Sequence, residues 1–210
     1  MGGRCSTMHT DFPSLFQHFP RFQMCLGKDD EGRWDETRGT HRNNMSELKP
    51  ILLEALKLKE LPRSGWIRAG VDNPESVASH SWGVAWLSLV LCPPNLNRGR
   101  VLEMATIHDL AEVRVGDITP HDSVSKEEKH RMEDEAMNDL LEVMCHRDEL
   151  KALWDECEAG NSKEARFVRA MDKLDMALQA QRYGGLEEFI DSALESLDDD
   201  LHRELAELSE

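Results

Sequence analysis

Apolar residues in this chain recur at intervals of three and four, and apolar–polar alternation never persists over the length of a strand. That periodicity confines the fold to an assembly of helices. Capping signals punctuate it. Ser46 reads as an N-cap for a helix with Leu48, Ile51, Leu52, Ala55 and Leu56 on one face, and Pro50 sits in its first turn, where a missing N–H matters least. Leu61 to Trp66 reads as a loop. Asn73 followed by Pro74 predicts a second helix, carrying His80 and stopping before Pro93-Pro94. A third begins near Asn97 and runs to His108-Asp109, with Gly116 as its break. Ser125-Lys126-Glu127-Glu128 is a capping box for a long charged helix ending near Cys145. A shorter helix is expected over about 148–159, and Asn161-Ser162-Lys163-Glu164 caps another that passes Asp172 and stops at Gly184-Gly185. The stretch 186–208 is helix-prone, with Asp198-Asp199-Asp200 weakening its middle. The expectation is one all-α bundle of about six or seven helices over 45–210. A flexible extension at 1–44, where Gly, Pro, His, Asp and Arg mix without a period, precedes it.

Charge narrows the partners. With 41 Asp+Glu against 25 Lys+Arg, the formal net charge is −16. Such a surface repels a nucleic-acid backbone, so long DNA or RNA is not an expected partner. A small phosphorylated metabolite remains compatible, because a bound cation reverses the field locally. No run approaches the roughly 18 apolar residues of a membrane span. The five cysteines form no C-x-x-C pair, which suits a reducing compartment and a cytoplasmic location. No apolar core of a secretory signal is present near the start. Met1-Gly2-Gly3-Arg4-Cys5-Ser6 fits the N-myristoylation pattern, so a form lipid-anchored through Gly2 and Cys5 stands beside a plain disordered start.

The chemistry lies in ionisable residues set inside apolar helices. His80 is flanked by Val77, Trp82 and Val84, and alone it reads as a satisfied core histidine. His108 and Glu112 are four apart, Asp109 and Glu112 three apart, so on a helix all three border one another. Asp172 lies within the apolar run Phe167 to Leu174. Burying such groups without partners costs several kcal/mol, on the order of 2–7 each. Two imidazoles and two carboxylates on separate helices satisfy one another if they share a borderline-to-hard divalent cation, and bundle cores are where such sites are built.

The order His80, His108-Asp109, Asp172 resembles the H…HD…D signature of HD-domain metal-dependent phosphohydrolases. The flanks Pro74-Glu75-Ser76-Val77-Ala78-Ser79-His80, His108-Asp109-Leu110-Ala111-Glu112 with Gly116-Asp117-Ile118, and Lys126-Glu127-Glu128-Lys129-His130 resemble the 5′-deoxynucleotidase branch. The resemblance spans about residues 46–185. It implies an HD-domain helical bundle, usually homodimeric, that hydrolyses (deoxy)ribonucleoside 5′-monophosphates to nucleoside and phosphate. It implies one divalent metal ion, with Mn, Co, Mg, Zn, Fe and Ni not distinguished, and His80, His108, Asp109 and Asp172 as its ligands. By the same resemblance Glu112 activates the attacking water, Asp117 is a second carboxylate that orients the chemistry, and Arg63 binds phosphate. A metal-acidified water, a carboxylate to take its proton and a planar guanidinium for phosphate form a coherent set. Trp66, after a Ser-Gly step, lies either against the base or sugar or in the packing.

Two positions depart from the family's usual pattern. Ser79 stands where an acidic residue commonly precedes the first histidine, and Ser64-Gly65 separate Arg63 from Trp66, which some bacterial members place directly after the arginine. The ligand set is untouched, and the preference between deoxyribose and ribose is left open. Other readings are a phosphohydrolase of cyclic or hyperphosphorylated nucleotides, and a non-catalytic scaffold stabilised by metal. Glu112, Asp117 and Arg63 have no use in the latter. Trp82 and Trp86, four apart, are expected in the core, and His121 and His130 at the surface.

Overall fold

The computed structural model describes residues 38–207, with side chains from 46 onward. The chain divides into two units, Met1–His41 and Arg42–Glu210, and the described side chains all belong to the second. The expected extension at 1–44 falls mainly outside the described residues, as do Gly2 and Cys5.

The described residues form α1 (Arg38–Ala55), a 3₁₀ turn (Leu56–Lys59), α2 (Ser64–Arg68), α3 (Val77–Leu91), α4 (Arg98–Ile107), α5 (Glu112–Val115), α6 (Lys126–Leu141), α7 (Arg147–Ala159), α8 (Lys163–Arg182), α9 (Glu187–Ser196) and α10 (Asp200–Ala206). Extended pairing among them is limited to one bridge between Pro62 and Ser76. Three of the expected caps close their helices. Asn97 accepts from Arg100 N, Ser125 from Glu128 N and Ser162 from Ala165 N, each satisfying a donor the helix leaves orphaned. Two expected starts move. Helix α1 begins at Arg38, so Ser46 is interior to it. Helix α3 is capped by Ser76, which accepts from Ser79 N, because Asn73 sits at φ 54° and turns the chain instead. Helix α2 occupies what the sequence presents as loop.

Helix α8 is the central element, packed against α3, α4, α7, α9 and α10. Val84 of α3, Val101, Met104 and Ala105 of α4, and Val168, Met171, Leu174 and Ala177 of α8 form one apolar cluster. Each buried Leu, Val or Met there contributes about 1.5–3 kcal/mol. Leu174→Ala would cost about 2–5 kcal/mol through transfer and cavity terms. A second cluster joins Met137, Leu140 and Leu141 of α6 to Trp154 of α7. The Trp154 indole N–H donates to the carbonyl of His108 at 3.3 Å, tying this cluster to the end of α4.

Trp82 and Trp86 correct the expectation made for them. They are 69% and 52% exposed, stacked on each other, with Leu89 and Val90 beside them in register. Helix α3 turns Val77, His80, Val84 and Ser88 inward and carries no Asp, Glu, Lys or Arg at all. With apolar residues on both faces, its sequence period could not say which face the core takes. On α1, likewise, Ile51 packs against the second cluster while Leu52 and Leu53, and Leu56 at the start of the 3₁₀ turn, stay about half exposed. No helix among the described residues is long and apolar enough to cross a membrane.

Candidate active site

Of the four expected metal ligands, His80, His108 and Asp109 converge where α3 meets the end of α4, and Asp172 reaches His80 from α8. His108 closes α4, its backbone N–H donating to Met104 O. Its ring Nδ1 lies 2.9 Å from Ala105 O, so Nδ1 carries the donated hydrogen and Nε2 the lone pair. His80 is 1% exposed and points the same way. His80 Nε2 is 3.1 Å from Asp172 Oδ1 and 3.6 Å from Asp109 Oδ2, and His108 Nε2 is 3.2 Å from Asp109 Oδ2. The ligand atoms of His80, His108 and Asp109 all lie within 4.8 Å of one another. Yet His80 Nε2, His108 Nε2 and Asp109 Oδ2 are buried with no hydrogen-bond partner. Buried polar atoms are rarely left so, and three converging ones are the donor set a divalent cation would satisfy. The residues fit a metal.

Protons balance the cluster where no cation does. Burial, and beyond it Asp109 and Asp117, push the Glu112 carboxyl up to about 10, against the opposing pull of Arg63 and Lys129. For His80, burial and Arg63 disfavour the charged ring, but Asp172 and Asp175 outweigh them and raise it to about 10. Asp109 and Asp172 are held well below the usual carboxylate range; burial works against ionisation in both, and the neighbouring histidines and cations overcome it.

Arg63 and Asp117 meet at the start of α2. Gly116 has φ 82° and ψ 166°, a backbone state open to glycine, and turns the chain out of α5 toward Arg63. Asp117 then accepts from Ser64 N at 2.7 Å and lies 3.5 Å from Arg63 Nη1. Arg63 Nη1 is also 3.8 Å from Asp109 Oδ2, which joins the guanidinium to the metal cluster. Glu112, 4% exposed, opens α5 with its Oε2 buried and unpartnered.

Arg63, Asp109, Glu112, Asp117 and Asp172 line one cavity of about 340 Å³. Arg63, Arg68, Lys129 and Lys173 stand around it and offset its carboxylates, Asp109, Glu112, Asp117, Asp172 and Glu188. Trp66 is in the wall but only 2% exposed; its Nε1–H donates to Glu75 Oε1 at 3.0 Å and its ring packs on Phe189, centroids 4.3 Å apart. Of the two readings the sequence leaves for Trp66, packing describes most of its surface.

A family model described as HD domain matches residues 55–209. The chain belongs to the HD-domain family. It is 42% identical over 145 residues to a protein of Mus musculus named 5′-deoxynucleotidase HDDC2, a match covering 65% of this chain and 73% of that one. It is 43% identical over 140 residues to 5′-deoxynucleotidase hdd1 of Schizosaccharomyces pombe, covering 64% and 71%. Among solved structures it is similar to a protein of Magnetospirillum magnetotacticum described as a predicted metal-dependent phosphohydrolase, with a TM-score of 0.64 at 26% identity over 78% of this chain and 89% of that one.

Sequence reasoning on this HD domain left four neighbours of the site without a role. Lys129 donates to Ile118 O at 3.0 Å and faces Glu112 and Asp117. Its place in the Lys126–His130 stretch was a signal. Phe189 covers Trp66 from α9, where nothing in the local pattern marks it. Glu75 and Asp175 stand beside His80, and their signals were a carboxylate just before α3 and a second one a turn beyond Asp172.

Proposed function

We propose that this HD domain is a divalent-metal-dependent phosphomonoesterase that hydrolyses nucleoside 5′-monophosphates, deoxy forms among them, to nucleoside and phosphate. The observation that carries this reading is the convergence of the unpartnered His80 Nε2, His108 Nε2 and Asp109 Oδ2 beside a cavity that Arg63 and Lys129 also line. The names of the two curated relatives support the substrate class. His80, His108, Asp109 and Asp172 would hold one ion, whose chemistry when bound is to acidify water and neutralise phosphate charge. With a cation beside it to favour its ionised form, Glu112 would take a proton of the attacking water on its buried Oε2 as the water oxygen bonds to phosphorus. The bond from phosphorus to the 5′-oxygen breaks, the 5′-oxygen leaving as a hydroxyl with a proton from solvent. Arg63 offers its planar fork to the phosphate oxygens, and Asp117 holds Arg63 in place.

The α3 face supports a homodimer. Trp82, Trp86, Leu89 and Val90 are large, exposed and free of charge, on a chain whose net charge of −16 sets copies against each other elsewhere. Two such faces related by a two-fold axis meet without opposing carboxylates. The free thiols of Cys92, Cys145 and Cys157 support a reducing, cytoplasmic location.

The test is phosphate release by metal-free protein titrated with Mn²⁺, Co²⁺, Mg²⁺, Zn²⁺, Fe²⁺ and Ni²⁺. The substrates are deoxyribo- and ribonucleoside 5′-monophosphates together with cyclic and hyperphosphorylated nucleotides. Release from monophosphates, dependent on metal, is expected. Release confined to the other nucleotides would overturn the substrate, and no release from metal-loaded protein would overturn the enzyme.

A further inference from the structure

We infer that Asp175 is the positioning residue of His80, and that position 83 is glycine so that Asp175 can reach it. The inference rests on the metal reading above. Asp172 and Asp175 lie one turn apart on α8 and address the two ring nitrogens of His80. Asp172 Oδ1 is 3.1 Å from Nε2, and Asp175 Oδ2 is 2.8 Å from Nδ1. A carboxylate can only accept, so Asp175 fixes a hydrogen on Nδ1, and with a cation shared by Asp109 and Asp172 the ring would turn the lone pair of Nε2 to it. The opposite tautomer would aim an N–H at the cation position. The other oxygen of Asp175 lies over α3, one turn beyond His80. There a Cβ on Gly83 would be 2.0 Å from Asp175 Oδ1 and 2.8 Å from its Cγ. Any side chain at 83 displaces the carboxylate. His108 is oriented by a different device, the backbone carbonyl of Ala105, so the two histidines differ in what a single substitution can disturb.

Glu75 is the third member of this group. Its carboxylate oxygen, His80 and Asp175 present ligand atoms within 4.8 Å of one another, an arrangement that could itself hold a cation. Two observations favour orientation over a second ion. His80 Nδ1 is already bonded at 2.8 Å to Asp175, and a Glu75 oxygen is already engaged by the Trp66 indole.

The experiment compares full-length wild type with Asp175→Ala, Asp175→Asn and Gly83→Ala, with Co²⁺ as the probe. Affinity and stoichiometry are read by calorimetry, the ligand field by visible absorption, and the fold by circular dichroism. Asp175→Ala and Gly83→Ala should each weaken Co²⁺ binding by about 10–100-fold and alter the visible bands, the scale seen when a metal-bound histidine loses its orienting partner. Asp175→Asn keeps an oxygen to accept from Nδ1–H and should recover most of the affinity, which remains readable should the alanine variants fail to fold. Wild-type affinity and spectrum in folded Asp175→Ala or Gly83→Ala would overturn the inference, as would an asparagine variant that binds as weakly as alanine. Two Co²⁺ per wild-type chain, one of them lost in Asp175→Ala, would make the group a cation site instead. A wild type that binds no Co²⁺ fails separately, at the metal reading itself.

Discussion

Asp117 holds both the backbone and the side chain that present Arg63: one of its oxygens accepts the Ser64 N–H at 2.7 Å, and the other lies 3.5 Å from Arg63 Nη1. The carboxylate thereby caps α2 from a distant loop and aims the guanidinium into the cavity. A five-residue helix has little stability of its own, so the cap sets where Arg63 stands.

Arg63→Ala should raise KM and lower kcat/KM together, because the phosphate contact exists in both ground and transition states. A lost hydrogen bond to a charged group is worth about 1.5–3 kcal/mol, or roughly ten- to a hundredfold. Asp117→Ala should follow in the same direction, while Asp117→Asn, which still caps Ser64, should fall between it and wild type. Steady-state kinetics on one deoxyribonucleoside 5′-monophosphate decides this, and an unchanged KM in Arg63→Ala would remove the arginine from phosphate binding.

Glu112→Gln separates chemistry from binding. Turnover should drop by about a hundredfold or more, the scale of a lost general base, with metal content near normal. Loss of the metal would instead make Glu112 a ligand, and near-normal turnover would leave it no part in the mechanism.

The pH dependence of stability has a definite sign. In metal-free protein Glu112 is raised from 4.5 to about 10 and His80 from 6.5 to about 10, so the folded state binds these protons more tightly than the unfolded state does. Raising the pH through that range must therefore remove stability. Asp109 and Asp172 are held low and act the other way, their contribution being lost only as the pH falls into strong acid. The melting temperature in chelator should fall from mildly acidic to alkaline pH. A saturating divalent metal should raise it and flatten the trend. Calorimetric scans across pH with and without metal make the comparison; identical curves would mean the four ligands do not share an ion.

Trp82→Glu and Val90→Lys place charges on the α3 face and should convert a dimer into monomers. Sedimentation velocity at several concentrations reads the change. A wild type that stays monomeric throughout would leave the exposed tryptophans unexplained by self-association.

His80, His108, Asp109 and Asp172 were legible as a group through their order in the chain and the family resemblance, although His80 alone reads as a satisfied core histidine; only the fold shows that their side chains meet. Caps formed from one residue and its own helix, as at Asn97, Ser125 and Ser162, were equally legible. What escaped depends on pairings between distant segments. Asn73 and Ser76 both resemble caps, and the choice follows from a turn at Asn73 and from Tyr183 accepting the Glu75 N–H at 2.7 Å, 108 positions away. The role of Trp66 depended on Phe189 arriving from α9. The exposure of Trp82 and Trp86 depended on which side of an uncharged helix α8 and α4 would choose.

Gly83 also bears on attempts to make this protein hardier. It lies inside a helix, fully buried, where alanine would ordinarily add about 1 kcal/mol through helix propensity. A search for stabilising mutations that ranks helical glycines first would select it early. The Asp175 carboxylate already fills the space a methyl group would need. Robustness gained at this position would be drawn from the active site, so thermostabilisation of the domain has to begin elsewhere.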